Sequence, residues 1–135
     1  YLHLYDNQEF VCSYSADGLI LSTSTGSTAY SMAAGGPIIN PKINAIIASP
    51  ICPFTLAVRP MVFSGKDFLK IVVESEHKEA MLTLDGQTSF KLGSPSTILV
   101  HRAKHSINLI KFQERSYYEV LRTKLHWGAK PKIGE

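Results

Sequence analysis

Short apolar runs separated by turn residues dominate the sequence, and this alternation restricts the chain to few folds. The runs are rich in β-branched and aromatic residues and cover positions 1–5, 10–14, 19–23, 45–49, 57–63, 68–73, 81–84, 87–92, 97–103 and 107–112. Turn pairs such as Asp17-Gly18 and Asp85-Gly86 lie between them. Strands spaced by roughly 8–12 residues, mostly without helices between them, indicate antiparallel pairing. The sequence therefore predicts a mainly β fold, an antiparallel two-sheet β-sandwich-like domain.

Two segments break the alternation and predict helices. The Ala-rich residues 27–34 follow a Thr/Ser/Gly cluster, so we expect a short helix with a hydroxyl N-cap, ended by Gly35-Gly36-Pro37. Apolar residues recur at helical spacing from Tyr117 to Leu125, which predicts a helix over residues 116–126. Because no repeat or linker divides the chain, residues 1–135 are expected to form a single domain.

Composition narrows the class of protein. Hydrophobic residues make up 44% of the chain and charged residues 19%, which argues against intrinsic disorder. No apolar run approaches the roughly 20 residues that a membrane-spanning helix needs, so we expect a soluble protein without a membrane partner. Cys12 and Cys52 show no metal-ligand or redox spacing and are interpreted as reduced, buried thiols of a cytoplasmic protein.

The positive charge is concentrated near the C-terminus. Residues 1–100 carry 6 Lys/Arg and 8 Asp/Glu, whereas residues 101–135 carry 8 Lys/Arg and 3 Asp/Glu. These basic residues are spread singly rather than in a run, which is typical of an ordinary solvated face. We therefore expect no nucleic-acid partner.

One segment, residues 22–30, has an unusual number of hydroxyl side chains at the passage from a strand to a helix. In a purely structural interpretation, these hydroxyls cap the helix and satisfy nearby backbone groups. In a functional interpretation, the free N–H groups at the helix start and the small Gly26 favour a bound anion or polar ligand. Both interpretations remain open at this point.

Three other places are candidates for a ligand site, and each also has a structural interpretation. Asp17 either makes local turn contacts or points a carboxylate at a ligand. The Pro50-Ile51-Cys52-Pro53 corner either shapes a bend or lines a pocket with its backbone. Asp85-Gly86-Gln87 is first of all a hairpin turn. The common nucleotide-loop, hydrolase and zinc motifs are absent from the sequence, and no metal-binding group is predicted.

Taken together, these segments resemble the NAD kinase family. Residues 17–31, followed by Gly35-Gly36-Pro37, are similar to its signature, and residues 50–53 with Arg59-Pro60 are similar to a second stretch downstream. The similarity continues through residues 85–87, 107–110 and 121–127, and so covers the chain from about residue 10 to residue 128.

The resemblance implies the C-terminal, mostly β domain of an enzyme that moves the γ-phosphoryl group of ATP onto the 2′-hydroxyl of the adenosine ribose of NAD. A divalent metal, expected to be Mg²⁺, would accompany ATP, and dimers or tetramers would share the NAD site between subunits. The residues that the resemblance places at NAD are Asp17, Thr25, Thr28, Ala29, Tyr30, Ser31, Met32, Ala33, Cys52 and Gln87.

The sequence also departs from the family pattern. Family members carry a Gly-Gly-Asp-Gly motif with the catalytic base and an Asn-Glu pair that holds the ribose, both in an N-terminal α/β domain; neither motif occurs here. We therefore expect a piece of the enzyme that is inactive by itself. Ser24 replaces the usual proline and is expected to loosen the turn, and Phe54 stands where histidine is common. The alternatives are the C-terminal domain of a diacylglycerol or sphingosine kinase and a β-sandwich binding module without enzyme activity.

Overall fold

The computed structural model describes residues 1–110 and 115–128. Within them lie strands β1 (Leu2–Asp6), β2 (Glu9–Tyr14), β3 (Gly18–Thr23), β4 (Ala45–Ile51), β5 (Met61–Ser64), β6 (Leu69–Val73), β7 (Glu79–Leu84), β8 (Thr88–Gly93) and β9 (Ser96–Val100). A 3₁₀ helix (Thr25–Thr28) and helix α1 (Tyr30–Ala33) fall between β3 and β4, and helix α2 (Tyr117–Leu125) follows the strands. The chain divides into two compact units, Tyr1–Ala103 and Lys104–Glu135, and the strands named here lie in the first.

The strands form antiparallel sheets. The first sheet has the order β2-β1-β6-β9 and the second β3-β4-β5, while β7 and β8 pair only with each other and are called the ribbon below. Both larger sheets contribute to one apolar core made of Leu4, Tyr14, Ile46, Ala48, Phe63, Leu69, Ile71 and Val73. The predicted antiparallel, sandwich-like β fold is thus confirmed, and the ribbon is a further sheet that the strand pattern did not distinguish.

Strand β4 is the middle strand of the second sheet, and its residues from Ala45 to Pro50 are buried. β3 pairs with it as far as Ile51, whereas β5 pairs with it only as far as Ala48. The Ile51 carbonyl accepts a hydrogen bond from the Asp17 N–H at 3.0 Å, so Ile51 faces β3 and Pro50 faces the β5 side. Proline has no N–H to donate to a strand there. The last residues of β4 therefore have a neighbouring strand on one side only.

Three predicted strands differ from the observed ones. The run at 97–103 is a strand only as far as Val100. The run at 57–63 is a strand only from Met61, because the preceding residues form a turn in which the Arg59 guanidinium donates to the carbonyls of Leu56 and Val58. Residues 107–110 form no strand, and the rest of that predicted run, 111–112, lies outside the described residues.

The polar end of β1 carries a partly buried carboxyl group. One oxygen of Asp6, Oδ1, is buried and has no hydrogen-bond partner among the described residues. Burial, followed by the negative charges of Asp67 and Glu9, raises the pKa of this carboxyl group. Its ionised form is therefore less favourable in the folded chain than in the unfolded chain.

In the second unit, helix α2 confirms the predicted C-terminal helix. The Ser116 hydroxyl accepts a hydrogen bond from the Glu119 N–H at 3.1 Å at its start, as expected for an N-cap. His126 ends the helix in the left-handed conformation. In the part of the chain that the structure describes, no helix is both long and apolar enough to cross a membrane.

Candidate functional site

The hydroxyl-rich segment after β3 divides its side chains between two surfaces. Two of its serines, Ser24 and Ser27, are buried and hydrogen-bonded, whereas the Ser22 hydroxyl is buried without a hydrogen-bond partner among the described residues. The Ser24 hydroxyl donates to the Ile43 carbonyl at 2.5 Å, and the Ser27 hydroxyl donates to the Ser24 carbonyl at 2.7 Å while accepting from the Ile39 N–H at 3.0 Å. These bonds satisfy backbone groups, as the structural interpretation of the cluster predicted. The Ser24 hydroxyl thus connects the turn to Ile43, and its expected effect on the turn relative to proline stays a prediction.

Ser31, a buried serine one residue after the segment, joins α1 to β4. It is 1% exposed, and its Oγ lies 2.9 Å from the Oγ of Ser49, which is 0% exposed. The N–H of Gly36 donates to the Ser31 carbonyl at 2.8 Å. A Cβ at Gly36 would lie 2.6 Å from the Ser49 hydroxyl and would also clash with the Ser31 hydroxyl, so only glycine fits this approach.

No side-chain cap forms at either short helix of the segment, so the predicted hydroxyl N-cap is wrong. Ala29 occupies the N-cap position of α1, and the Ser24 side chain makes no capping bond to the 3₁₀ helix. The Ser24 hydroxyl binds the Ile43 carbonyl instead, and the Gly26 N–H donates to Thr23 Oγ1, one residue before the N-cap, at 3.1 Å. A helix of four residues also has too few aligned peptides to hold an anion by its dipole alone.

The remaining residues of the segment lie towards solvent. Thr25 and Ala29 are exposed, Thr28 is half-buried, and the Tyr30 side chain is 74% exposed. Thr28 Oγ1 makes only a long bond of 3.5 Å to the Thr25 carbonyl. An aromatic ring, a weakly engaged hydroxyl and exposed backbone therefore remain available for a ligand.

A cleft of about 320 Å³ lies beside this surface. One wall is the α1 side, with Tyr30, Ala33 and Ala34, and the other wall is the chain from Pro50 to Pro53. The cleft thus brings Tyr30, Ala33 and Cys52 together from two segments that the sequence placed about twenty residues apart. Sequence reasoning missed Ala34, although its position four residues after Tyr30 puts both on one helix face.

Cys52 stands at a strained point of the second wall. Its φ is 44°, in the left-handed region that non-glycine residues rarely adopt. Strained backbone of this kind is concentrated at binding sites, where the surrounding structure holds it in place. Cys12 and Cys52 are both free thiols, as expected, but Cys12 is half-buried and Cys52 is exposed, so the prediction of two buried thiols is wrong.

Three other candidate residues do not line the cleft: Met32, which is half-buried on α1, Asp17 and Gln87. The N–H of Asp17 donates to the Ile51 carbonyl, and the Phe54 N–H donates to the Ser15 carbonyl at 2.8 Å, so Asp17 lies just before β3 and beside the residue that precedes Cys52. Gln87 is exposed in the turn of the ribbon, where its N–H donates to the Leu84 carbonyl at 3.0 Å. Gln87 does not line the cleft.

A second hollow, of about 340 Å³, is lined by Asn7, Gln8, Phe68, Leu69, Lys70 and Leu99. None of the sequence-predicted site residues lines it. The cleft beside Tyr30 is therefore the better candidate site, although it is slightly smaller. Among residues 1–110 and 115–128, no three His, Cys, Asp or Glu side chains come together as metal ligands.

The sequence pattern of one protein family, the ATP-NAD kinase C-terminal domain, matches residues 1–112 of this chain. The chain belongs to the ATP-NAD kinase family. It is 46% identical over 129 residues to the NAD kinase of Chlorobaculum tepidum, which is 96% of this chain and 46% of that protein. The chain spans less than half the length of the curated relatives that it matches.

Two solved structures of related kinases have similar folds. Yeast NADH kinase complexed with NADH aligns with a TM-score of 0.86 at 27% identity, covering 99% of this chain and 42% of that one. An NAD kinase from Archaeoglobus fulgidus in complex with ATP aligns with a TM-score of 0.68 at 29% identity, covering 76% of this chain and 39% of that one. The β architecture described above is thus a fold of this kinase family.

Proposed function

We propose that the protein containing this chain is an NAD kinase and that the chain supplies its C-terminal, NAD-binding domain. The 2′-oxygen of the adenosine ribose of NAD attacks the γ-phosphorus of ATP, the bond from that phosphorus to the β-γ bridging oxygen breaks, and NADP and ADP leave. The ribose hydroxyl proton goes to a base outside this chain. Such transfer depends mainly on positioning and electrostatic stabilisation.

The cleft carries this proposal, because it joins the two sequence stretches that resemble the family. Tyr30 and Thr25 would contact the adenine end of NAD, and the exposure of Tyr30 leaves its ring free to stack on a base. Thr28 and Ala29 would lie beside the ribose. Cys52 would line the opposite wall.

The remaining residues have less direct roles. Ser31, Met32 and Ala33 would lie towards the ribose and nicotinamide, but the Ser31 hydroxyl is bound to Ser49, so Ser31 would act through its backbone. Asp17 would approach the nicotinamide end. Because Gln87 lies on the ribbon rather than in the cleft, we place it at the outer rim of the NAD site.

ATP is the proposed phosphoryl donor, and a related NAD kinase has been solved in complex with ATP. A divalent metal, Mg²⁺, is proposed to accompany it and would screen the phosphate charges. The described residues hold no ligand cluster that fits such an ion. We therefore assign the metal to no residue of this chain and derive no step through it.

The proposed setting is a cytoplasmic homodimer or homotetramer whose NAD site is shared between neighbouring subunits. The cleft is consistent with sharing because it is shallow and leaves Tyr30 largely open to solvent. No contact with nucleic acid or with a membrane is part of the proposal. The isolated chain is expected to be inactive.

The test is NADP formation by the full-length gene product, given NAD, ATP and Mg²⁺. We expect NADP and ADP to appear in equal amounts, and none from the 135-residue chain alone. A well-folded product that made no NADP would overturn the proposal. Parallel reactions with diacylglycerol or sphingosine in place of NAD separate the two kinase classes, since phosphorylation of the lipid alone would identify a lipid kinase.

A further inference from the structure

We propose that Ser49 is a positioning residue for NAD, although its side chain lies outside the cleft. Ser49 immediately precedes Pro50, the first residue of one cleft wall, and Ser31 immediately follows Tyr30 on the other wall. The 2.9 Å hydrogen bond between the two hydroxyls therefore connects the two walls from beneath. This inference rests on the proposed function and deepens it.

Helix α1 needs such a connection because it is too short to hold its own shape. It has four residues and no side-chain cap, and isolated helices of this length are unstable in water. Its placement, and with it the direction of the Tyr30 ring, must come from contacts with the sheet below. The bond from Ser31 to Ser49 is a direct, buried contact of that kind.

Strand β4 provides the fixed end of the connection. Ile46 and Ala48 point into the core shared by the two larger sheets, so alternation directs Ile47 and Ser49 to the opposite face. Ile47 and Ser49 are both 0% exposed, which shows that this face is fully covered. Ser49 therefore has little freedom to follow a displaced helix, and a displaced helix loses its bond.

Gly36, in the chain that leaves α1, packs directly against the hydroxyls of both Ser31 and Ser49. Its N–H binds the Ser31 carbonyl, and its Cα approaches so closely that a methyl group at this position would overlap both hydroxyls. The chain leaving α1 thus holds the pair in a space without room for rearrangement. Both oxygens can satisfy each other there, and removal of one leaves the other buried without its partner.

The test compares Ser49→Ala, Ser49→Cys and the double variant Ser31→Ala/Ser49→Ala in the full-length enzyme. For each, the melting temperature, kcat and the KM values for NAD and ATP are measured. We expect Ser49→Ala to raise the KM for NAD about five- to tenfold, as for loss of one buried hydrogen bond, with kcat and the KM for ATP within about twofold. Ser49→Cys keeps a weak donor of similar shape and should recover part of the loss.

The double variant separates positioning from stability. With both hydroxyls gone no buried group is left unsatisfied, so the melting temperature should recover towards wild type. The bond between the walls is still missing, so the KM for NAD should stay raised. If KM instead recovers together with the melting temperature, the pair is only structural and the inference is overturned.

A matched control removes a hydroxyl pair elsewhere. Thr83 Oγ1 and Ser89 Oγ lie 3.1 Å apart on the exposed ribbon, and Ser89→Ala should leave all kinetic constants unchanged. An active wild type with an unchanged KM in both Ser49→Ala and Ser49→Cys would overturn this inference alone. A wild type that formed no NADP would overturn the proposed function and this inference together.

Discussion

Strand β4 and the ribbon are both rich in apolar residues, yet they lie in opposite surroundings. Residues Ala45 to Pro50 are all buried, with β3 along one side of the strand and β5 along the other side as far as Ala48. The ribbon pairs only with itself and leaves Met81, Leu84 and Phe90 about half exposed. Two paired strands alone are marginally stable in water. The cleft opens at the end of β4, so it lies on the strand that is buried and paired rather than on the half-exposed ribbon.

The largest expected difference concerns core truncation. Ile47→Ala removes a side chain that is fully buried on β4, so we expect it to lower the free energy of unfolding by about 2–5 kcal/mol. Phe90→Ala on the ribbon should cost only about 1 kcal/mol or less, because its side chain is 48% exposed. Urea denaturation of the chain measures both. Equal losses would show that the ribbon is packed as well as β4.

A Gly→Ala substitution should destabilise the chain at Gly36, which packs against Ser49 of β4, and should have little effect at Gly93 in the ribbon. A methyl group at Gly36 would lie 2.6 Å from the Ser49 hydroxyl and 2.7 Å from the Ser31 carbonyl oxygen, and overpacking of this kind costs about 1–3 kcal/mol. At Gly93 in the ribbon, nothing lies within 4 Å of the added atom, so Gly93→Ala should change stability by about 0.5 kcal/mol at most. Thermal melts of both variants give the comparison, and an unperturbed Gly36→Ala would contradict the described approach.

The exposed aromatic rings of Tyr30 on α1, beside the end of β4, and of Phe90 on the ribbon should differ in their contribution to NAD binding. Tyr30→Ala in the full-length enzyme should weaken NAD binding by about 1–3 kcal/mol, the range for loss of a ring stacked on a base. Phe90→Ala removes a ring from the ribbon and should leave NAD affinity unchanged. Calorimetric titration with NAD measures both affinities. Equal affinities of Tyr30→Ala and wild type for NAD would show that the Tyr30 ring does not contribute to NAD binding.

The smallest expected effect is a pH dependence of stability at Asp6, the last residue of β1. The pKa of the Asp6 carboxyl group is raised in the folded chain above its ordinary value, so its ionisation costs stability as the pH rises through that range. Asp6→Asn should therefore increase stability slightly at pH 7 and leave it unchanged near pH 3. Asp85→Asn in the exposed turn of the ribbon is the control. The free energy of unfolding measured against pH tests this, and a gain in stability confined to low pH would contradict the raised pKa of Asp6.

The strands could largely be predicted from the sequence, but their partners could not. Alternating apolar residues revealed β1, β2, β3, β6 and β8 to within a residue or two. The separation of the ribbon from the two larger sheets depends on which strand edges meet, and residues such as Leu82 and Phe90 have the same local pattern in either case. Long-range pairing therefore had to come from the structure.

The sequence identified the hydroxyl-rich segment as a candidate site, but it did not show which of its side chains are buried and which are exposed. Ser24 binds Ile43 and Ser31 binds Ser49, partners that are 19 and 18 positions away. A local pattern contains no information about such distant partners, so capping was the natural expectation. The exposed face of Thr25, Thr28 and Tyr30 could be separated from the buried serines only once these contacts were known.

The cleft itself was partly predictable. Asp17 and Cys52 both resembled family positions, and the antiparallel pairing of β3 with β4 explains why they lie at the same end of the second sheet. Gln87 also resembled a family position but lies in the turn of the ribbon. The roles of Ser49 and Gly36 in supporting the cleft had no sequence signal of their own, because they depend on a close approach of three chain segments.

The proline at the end of β4 has a consequence for association with other chains. An exposed strand edge that offers both N–H and carbonyl groups can be extended by any passing strand, which is a common route to aggregation. Pro50 faces the side that β5 leaves unpaired and offers no donor there. The end of β4 therefore lacks, at Pro50, a backbone donor that an added strand would need for continuous pairing.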